Sequence, residues 1–119
     1  VVIAIRMVSR GRLRSEADIN GSAFGPPSSM IAVKAAFLQN TIEQAVVAAI
    51  MNLGLATLLS GPDLALLVGS LFLFSVGRIS FYRGYPRGAP GRAFGMVTTM
   101  LPSVFGFAYC TFVLVSRLF

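Results

Sequence analysis

The sequence predicts an all-α integral membrane protein, a four-helix transmembrane bundle in which only part of the first helix is present. Three observations carry that prediction. The chain is 55% hydrophobic and only 12% charged, and it holds three stretches apolar and long enough to cross a bilayer as helices. The run from Leu64 to Val76 has no charge and is interrupted only by Gly69, Ser70 and Ser75, where a helix of a soluble domain would show a polar face. The basic residues, finally, gather in two of the three connecting segments.

The helices are expected over residues 1–9, 30–59, 64–83 and 93–117 of a single domain spanning 1–119. The chain opens on Val1-Val-Ile-Ala-Ile5 against Arg6 and Arg10, which reads as the tail of a first spanning helix. A secretory signal would carry its positive charges ahead of the apolar run, whereas here they follow it. The second helix is longer than a bilayer needs, so it either tilts or projects into water at its Lys34 end. Residues 10–29 are polar and carry Gly21, Gly25, Pro26 and Pro27, the composition of an irregular loop. In Ser60-Gly-Pro-Asp63, Gly61 is suited to closing the second helix and Asp63 to capping the third, which makes the two an antiparallel hairpin.

Charge then orients the bundle. Arg10, Arg12 and Arg14 precede the second helix, and Arg83, Arg87 and Arg92 fall in or beside the loop expected over 84–92. An even number of crossings separates the two clusters, so both loops lie on one side, cytoplasmic by the positive-inside rule. The net charge of +6 is mostly this asymmetry. It does not indicate nucleic-acid binding, because the arginines flank spanning helices and no soluble platform presents them. The chain has no His and a single cysteine, Cys110, which excludes a histidine base, a histidine-held haem, a zinc site and an intrachain disulfide; no metal is expected.

Two polar groupings interrupt the apolar background. Asn40, Glu43 and Gln44 share one face of the second helix, where they are expensive to leave without a partner. Arg78, Phe81, Tyr82 and Tyr85 follow i, i+3, i+4, i+7 spacing and so form one stripe on the third helix. Arg78 lies about 9 Å inside Gly84 at the helical rise of about 1.5 Å per residue, too deep for a casual surface charge. Snorkelling and an ion pair with Glu43 are the expected sources of relief. Arg92 is placed by Pro90 and Gly91 in the first turn of the fourth helix, where its charge and the unpaired backbone amides both favour an anion. Structural readings stand beside these: Glu43 with Arg78 as a packing ion pair, Asn40 and Gln44 as interhelical hydrogen bonders, Tyr82 and Tyr85 as interfacial anchors, and Arg83 and Arg87 as headgroup charges. Pro102 is expected to kink the fourth helix by freeing the carbonyl of Thr98, with Thr98, Thr99 or Ser103 able to absorb the loss. Gly69 with Gly77, and Ala45 with Ala49, have spacings that allow close helix approach.

Asn40-x-x-Glu43, together with Arg78-x-x-Phe81-x-x-Gly84-Tyr85 and Arg92, resembles the family of membrane-associated proteins in eicosanoid and glutathione metabolism (MAPEG), in its bacterial type. The resemblance runs from about Ala36 to Leu114 and implies a homotrimer with glutathione as co-substrate, held between neighbouring subunits near the cytoplasmic face. By that resemblance Asn40 and Glu43 meet the glutathione backbone and its ammonium group, Arg78 and Tyr85 hold its carboxylate and polar atoms, and Arg92 is catalytic, stabilising the thiolate. The implied activity is that of a membrane-bound transferase or peroxidase that conjugates or reduces a lipophilic electrophile. The chain departs from the family pattern at Ala36, where glutathione-binding members often carry an arginine, and at Phe81, where they carry a tyrosine; Lys34 is a poor replacement for a bidentate fork. The residue after Arg92 is Ala93, which disfavours a serine-assisted prostaglandin isomerase. The alternatives are a non-catalytic subunit packing within a larger membrane complex and, with no role for the arginine-rich loop, a small transporter.

Overall fold

The structure is a computed structural model that describes residues 1–119, all helices and turns with no strand. Its four α-helices are α1 (Val2–Arg12), α2 (Ala32–Leu58), α3 (Ala65–Gly84) and α4 (Gly88–Leu118). Two helical stretches, Ala32–Leu58 and Gly61–Leu118, are long and apolar enough to cross a membrane, the second containing both α3 and α4. The chain divides into two compact units, Val1–Ala45 and Val46–Phe119.

In the first unit, Ala4, Val8 and Gly11 are the buried residues of α1, and their spacing puts them on one stripe of the helix. Gly11 is required there: a Cβ would overlap Ile31, itself fully buried. The following segment is more ordered than an irregular loop over 10–29. Successive backbone turns join Ser15 to Arg12, Asp18 to Ser15 and Gly21 to Asp18, each with N···O of 3.0–3.1 Å, and a 3-10 turn follows at Ser22–Phe24. Gly21 supplies the left-handed φ of 84° that starts this turn. Asp18 ties the segment together. Its carboxylate accepts from the Ser15 hydroxyl at 2.5 Å, the Ser28 amide at 2.8 Å and the Ser28 hydroxyl at 2.5 Å. The Ser28 carbonyl in turn accepts from the amides of Ile31 and Ala32, so the same clasp sets the entry to α2.

In the second unit, the C-terminal half of α2 lies against α4, where Met51 and Leu55 are buried over Gly106. Asn52 adds a polar link at membrane depth: its amide donates to the Ala48 carbonyl at 2.8 Å, while its oxygen accepts from the Ser70 hydroxyl of α3 at 2.7 Å. The chain reverses at Gly61, whose φ is 57°, into a 3-10 turn over Gly61–Leu64. Asp63 lies inside that turn rather than at the helix boundary, and no side chain caps α3. The expectation that Asp63 caps α3 is therefore corrected: the turn's own backbone hydrogen bonds run into the helix and leave no capping position for it.

The contact between α3 and α4 is built on small residues. A Cβ on Gly84 would overlap the Gly91 carbonyl, and one on Gly95 would overlap the backbone of Phe81. Gly77 is equally confined by Thr99 and Gly95, whereas Gly69 meets nothing within 4 Å and takes no part in close approach. The buried residues of α4 are Gly95, Thr99, Ser103 and Gly106, a stripe of small side chains that lets two backbones touch. The loop expected over 84–92 shrinks to a 3-10 turn at Tyr85–Arg87, because Gly88 adopts φ 72° and α4 begins at once. Pro90 is tolerated inside its first turn, where no intrahelical partner awaits the missing N–H. Around Pro102, the hydroxyls of Thr98 and Thr99 donate to the carbonyls of Phe94 and Gly95. Neither absorbs the carbonyl that the proline frees.

The Asp18 clasp generates a pH prediction. The Ser15 hydroxyl, then the Ser28 amide and hydroxyl, hold the Asp18 carboxyl below the usual carboxylate range by stabilising its charged form. A carboxyl lowered on folding stabilises the fold above its unfolded pKa of about 3.9 and loses that contribution as pH falls through the lower folded value. Amide exchange at Ser28, corrected for its intrinsic pH dependence, should therefore stay slow at neutral pH and accelerate only in acid below that range. Asp18→Ala should show the fast rate at every pH; an unchanged rate in that variant would contradict the clasp.

Candidate functional site

The strongest concentration of chemistry in the second unit lies at the end of α3 and the start of α4. Arg78 is only 6% exposed although it carries a charge in an apolar helix, a placement that costs several kcal/mol without compensation. Compensation comes first from Thr99. Its hydroxyl oxygen accepts from Arg78 Nε at 3.1 Å and from Nη2 at 2.9 Å, and its proton is donated to the Gly95 carbonyl at 2.7 Å. Aromatic faces contribute as well. The Arg78 guanidinium carbon lies 4.6 Å from the Phe81 ring centroid and 6.0 Å from that of Phe74.

From Phe81 the arrangement continues outward. Phe81 and Tyr85 meet edge to face, with centroids 5.7 Å apart and planes at 80°. The Arg92 guanidinium stands over the Tyr85 ring at 4.5 Å. Two cations are thus held at the ends of an aromatic pair. Each cation–π contact is worth about 0.5–1 kcal/mol when exposed and about 2 when desolvated, and the edge-to-face pair adds about 0.5–1.5 kcal/mol. The i, i+3/i+4 spacing sets Arg78 and Phe81 on α3 in register with Tyr85, the first residue of the 3-10 turn that continues it; that tight turn then brings Arg92 back alongside them. Arg83 and Arg87 are exposed and belong to the surface.

One expected position is corrected. Arg92 is the fifth residue of α4, which starts at Gly88, and not a member of its first turn. Its own amide is an intrahelical donor, and the Gly88 amide at the helix start donates to the Tyr85 carbonyl. The attraction of Arg92 for an anion rests on its side chain.

In the first unit, Asn40 is half-buried on α2 and Glu43 is exposed. The Glu43 carboxylate accepts from Gln39 Nε2 at 2.8 Å, one turn earlier. Sequence reasoning passed over Gln39, and it did not assign Thr99 to Arg78. The i, i+4 run Gly91, Gly95, Thr99, Ser103 is the signal that could have found Thr99, since a small-residue stripe marks the face of α4 that a neighbouring helix must meet.

The arrangement suits an anion. A guanidinium with a fixed plane grips a carboxylate through two parallel N–H···O bonds, and a second cation beside a thiol favours the thiolate. It offers no metal-binding cluster. The sequence model of the MAPEG family matches residues 1–112. No curated protein and no solved structure matches the chain.

The contact of Arg92 with the Tyr85 face can be read by arginine-selective labelling with phenylglyoxal. Tyr85→Leu should speed modification of Arg92 by about twofold to thirtyfold, the equivalent of a cation–π contact of about 0.5–2 kcal/mol. Tyr85→Phe keeps the ring and should keep the slow rate. Equal labelling in the leucine variant would mean that Tyr85 does not hold Arg92.

Proposed function

The chain belongs to the MAPEG family, and from that premise we propose that it is a membrane-bound glutathione-dependent transferase or peroxidase acting on a lipophilic electrophile. The observation that carries this reading is the pair of arginines fixed by one aromatic pair, Arg78 over Phe81 and Arg92 over Tyr85. Family members use glutathione, a tripeptide that brings two carboxylates, an ammonium group and a thiol. In the proposed roles, Arg78 and Tyr85 hold a carboxylate and neighbouring polar atoms, and Asn40 and Glu43 meet the backbone and the ammonium group. Arg92 is catalytic. Its charge lowers the thiol pKa so that the nucleophilic thiolate is present near neutral pH.

With the thiolate formed, little further protein chemistry is required. The sulfur lone pair forms an S–C bond with an electrophilic carbon, and the displaced group departs with its electron pair. With a hydroperoxide, sulfur takes the terminal oxygen and the alcohol leaves; a second glutathione then converts the sulfenic acid to the disulfide and water. The residues supply orientation and a positive field, and the apolar flanks of the helices supply a route for a lipophilic partner.

Four passes with the basic connecting segments cytoplasmic, and a homotrimer in the bilayer, complete the proposal. Glu43 supports the trimer: an exposed carboxylate with only Gln39 beside it is expensive on a spanning helix, and a second copy of the chain would cover it. Ala36 and Phe81 favour the second reading, a non-catalytic subunit in a larger membrane assembly. Phe81 is 3% exposed beneath Arg78, so at that position the chain has a packing ring where a ligand hydroxyl is expected.

Mixing the purified protein with glutathione should raise the ultraviolet absorbance of thiolate near neutral pH, and conjugation of a generic electrophile should follow. Arg92→Ala should remove the absorbance and lower the rate by roughly tenfold to a hundredfold, the scale of one charge-assisted contact of about 1.5–3 kcal/mol. Native mass spectrometry should show the assembly unchanged. Full activity in Arg92→Ala would move the role to another arginine; no thiolate and no binding in the wild type would favour the non-catalytic subunit.

A further inference from the structure

A cavity of about 820 Å³ opens in the second unit between the end of α2, the first half of α3 and the middle of α4. It lies at the opposite end of α3 from the arginines. Its walls are apolar, with Leu55, Leu66, Leu73, Leu101 and Phe105 among them, and its volume falls in the range of small-molecule sites, about 300–1,000 Å³. Gly69 makes part of the space. It lines the cavity, and a Cβ there would meet nothing within 4 Å.

The polar groups are spread unevenly along the walls. Ser70 and Thr98 line the cavity too, but the Ser70 hydroxyl donates to Asn52 Oδ1 at 2.7 Å and the Thr98 hydroxyl to the Phe94 carbonyl at 2.8 Å. With both protons committed, neither hydroxyl offers a donor to an anion or a carbonyl group. Asp63 is the one charged residue of the lining, in the turn that leads into α3. Its side chain has no hydrogen bond or ion pair of its own. Tyr109 belongs to the same end. Continuing the antiparallel register in which Gly84 meets Gly91, Phe81 meets Gly95 and Gly77 meets Thr99, Tyr109 falls level with Leu67, with Asp63 about one helical turn further out. A carboxylate beside an aromatic ring suits an alkylammonium group, since the charge attracts the cation and the ring face receives it.

We infer that this cavity binds a cationic amphiphile, an alkyl chain ending in an ammonium group: the ammonium rests between Asp63 and the Tyr109 ring, and the chain follows the Leu and Phe walls towards Thr98. Tyr109 to Thr98 spans about 16 Å of α4 at a rise of about 1.5 Å per residue, the scale of a long alkyl chain. The site is separate from the arginines and does not depend on the glutathione reading.

Electron paramagnetic resonance on phosphatidylcholine nanodiscs holding the wild-type protein tests it, with three nitroxide-labelled probes that share one hexadecyl chain and end in trimethylammonium, hydroxyl or sulfate. The motionally restricted fraction reads occupancy. The ammonium probe should associate about threefold to thirtyfold more strongly than the hydroxyl probe, the scale of an exposed ion pair joined to a cation–π contact, and the sulfate probe should gain nothing. The chain's net charge of +6 opposes this order, so non-specific attraction cannot produce it. Asp63→Asn, at an exposed position, should bring the ammonium probe down to the hydroxyl level. Gly69→Leu fills the open space and should abolish the ammonium preference as well. Equal restriction of the three probes in the wild type, as when phospholipid or a second copy of the chain covers the cavity, would overturn the inference, and so would strongest restriction of the sulfate probe. An ammonium preference that survives Asp63→Asn would remove the recognition assigned to that carboxylate; one that survives Gly69→Leu would put the cation on the surface and empty the cavity of its role.

Discussion

The close approach of α3 and α4 is the constraint on which the rest of the second unit depends. Gly84 against Gly91, Gly95 against Phe81 and Gly77 against Thr99 leave no room for a single added methyl group. In a bilayer, apolar side chains gain little by leaving lipid for one another, so helices associate through packing and interhelical polar contacts. Glycine permits both here. It lets the backbones touch, and it brings the Thr99 hydroxyl within reach of a guanidinium on the other helix.

A charge in that contact would be a liability if any of its needs went unmet. Arg78 is accommodated by several partial solutions acting together, a shared hydroxyl on one edge and rings at its faces. The same residues that make its burial tolerable also determine its orientation. Stability and binding are therefore linked in this region, and a substitution at Thr99 or Phe81 acts on both. Arg92 is held differently. It rests on Tyr85 at the edge of the contact, where a cation is partly solvated and can meet a ligand without a large desolvation cost.

Much of this was legible in the sequence because it is local. The apolar runs locate the long helices, and the spacing of Arg78, Phe81 and Tyr85 places them on one face before any coordinates are known. What was not legible depends on residues far apart in the chain. Thr99 follows Arg78 by 21 positions and looks like any polar residue near a helix proline; its role exists only because Gly95 lets the helices meet. Asp18 pairs with Ser28 across ten residues, in a segment whose composition reads as plain loop. The start of α4 was placed too late because Pro90 and Gly91 read as loop, although proline is at home in a first helical turn and Gly88 makes the reversal. Asp63 failed as a cap because a 3-10 turn runs straight into α3.

The central claim is that Arg78 is a buried, immobilised cation held between two helices. The most direct measurement is the water-exchange rate of arginine Nε–H groups, followed by NMR on protein labelled with nitrogen-15 at arginine Nε in detergent micelles, with Arg78→Lys to assign its resonance. The account predicts a slowly exchanging Arg78 Nε–H set apart from those of the exposed Arg83 and Arg87. An Arg78 Nε–H exchanging as fast as theirs would contradict it.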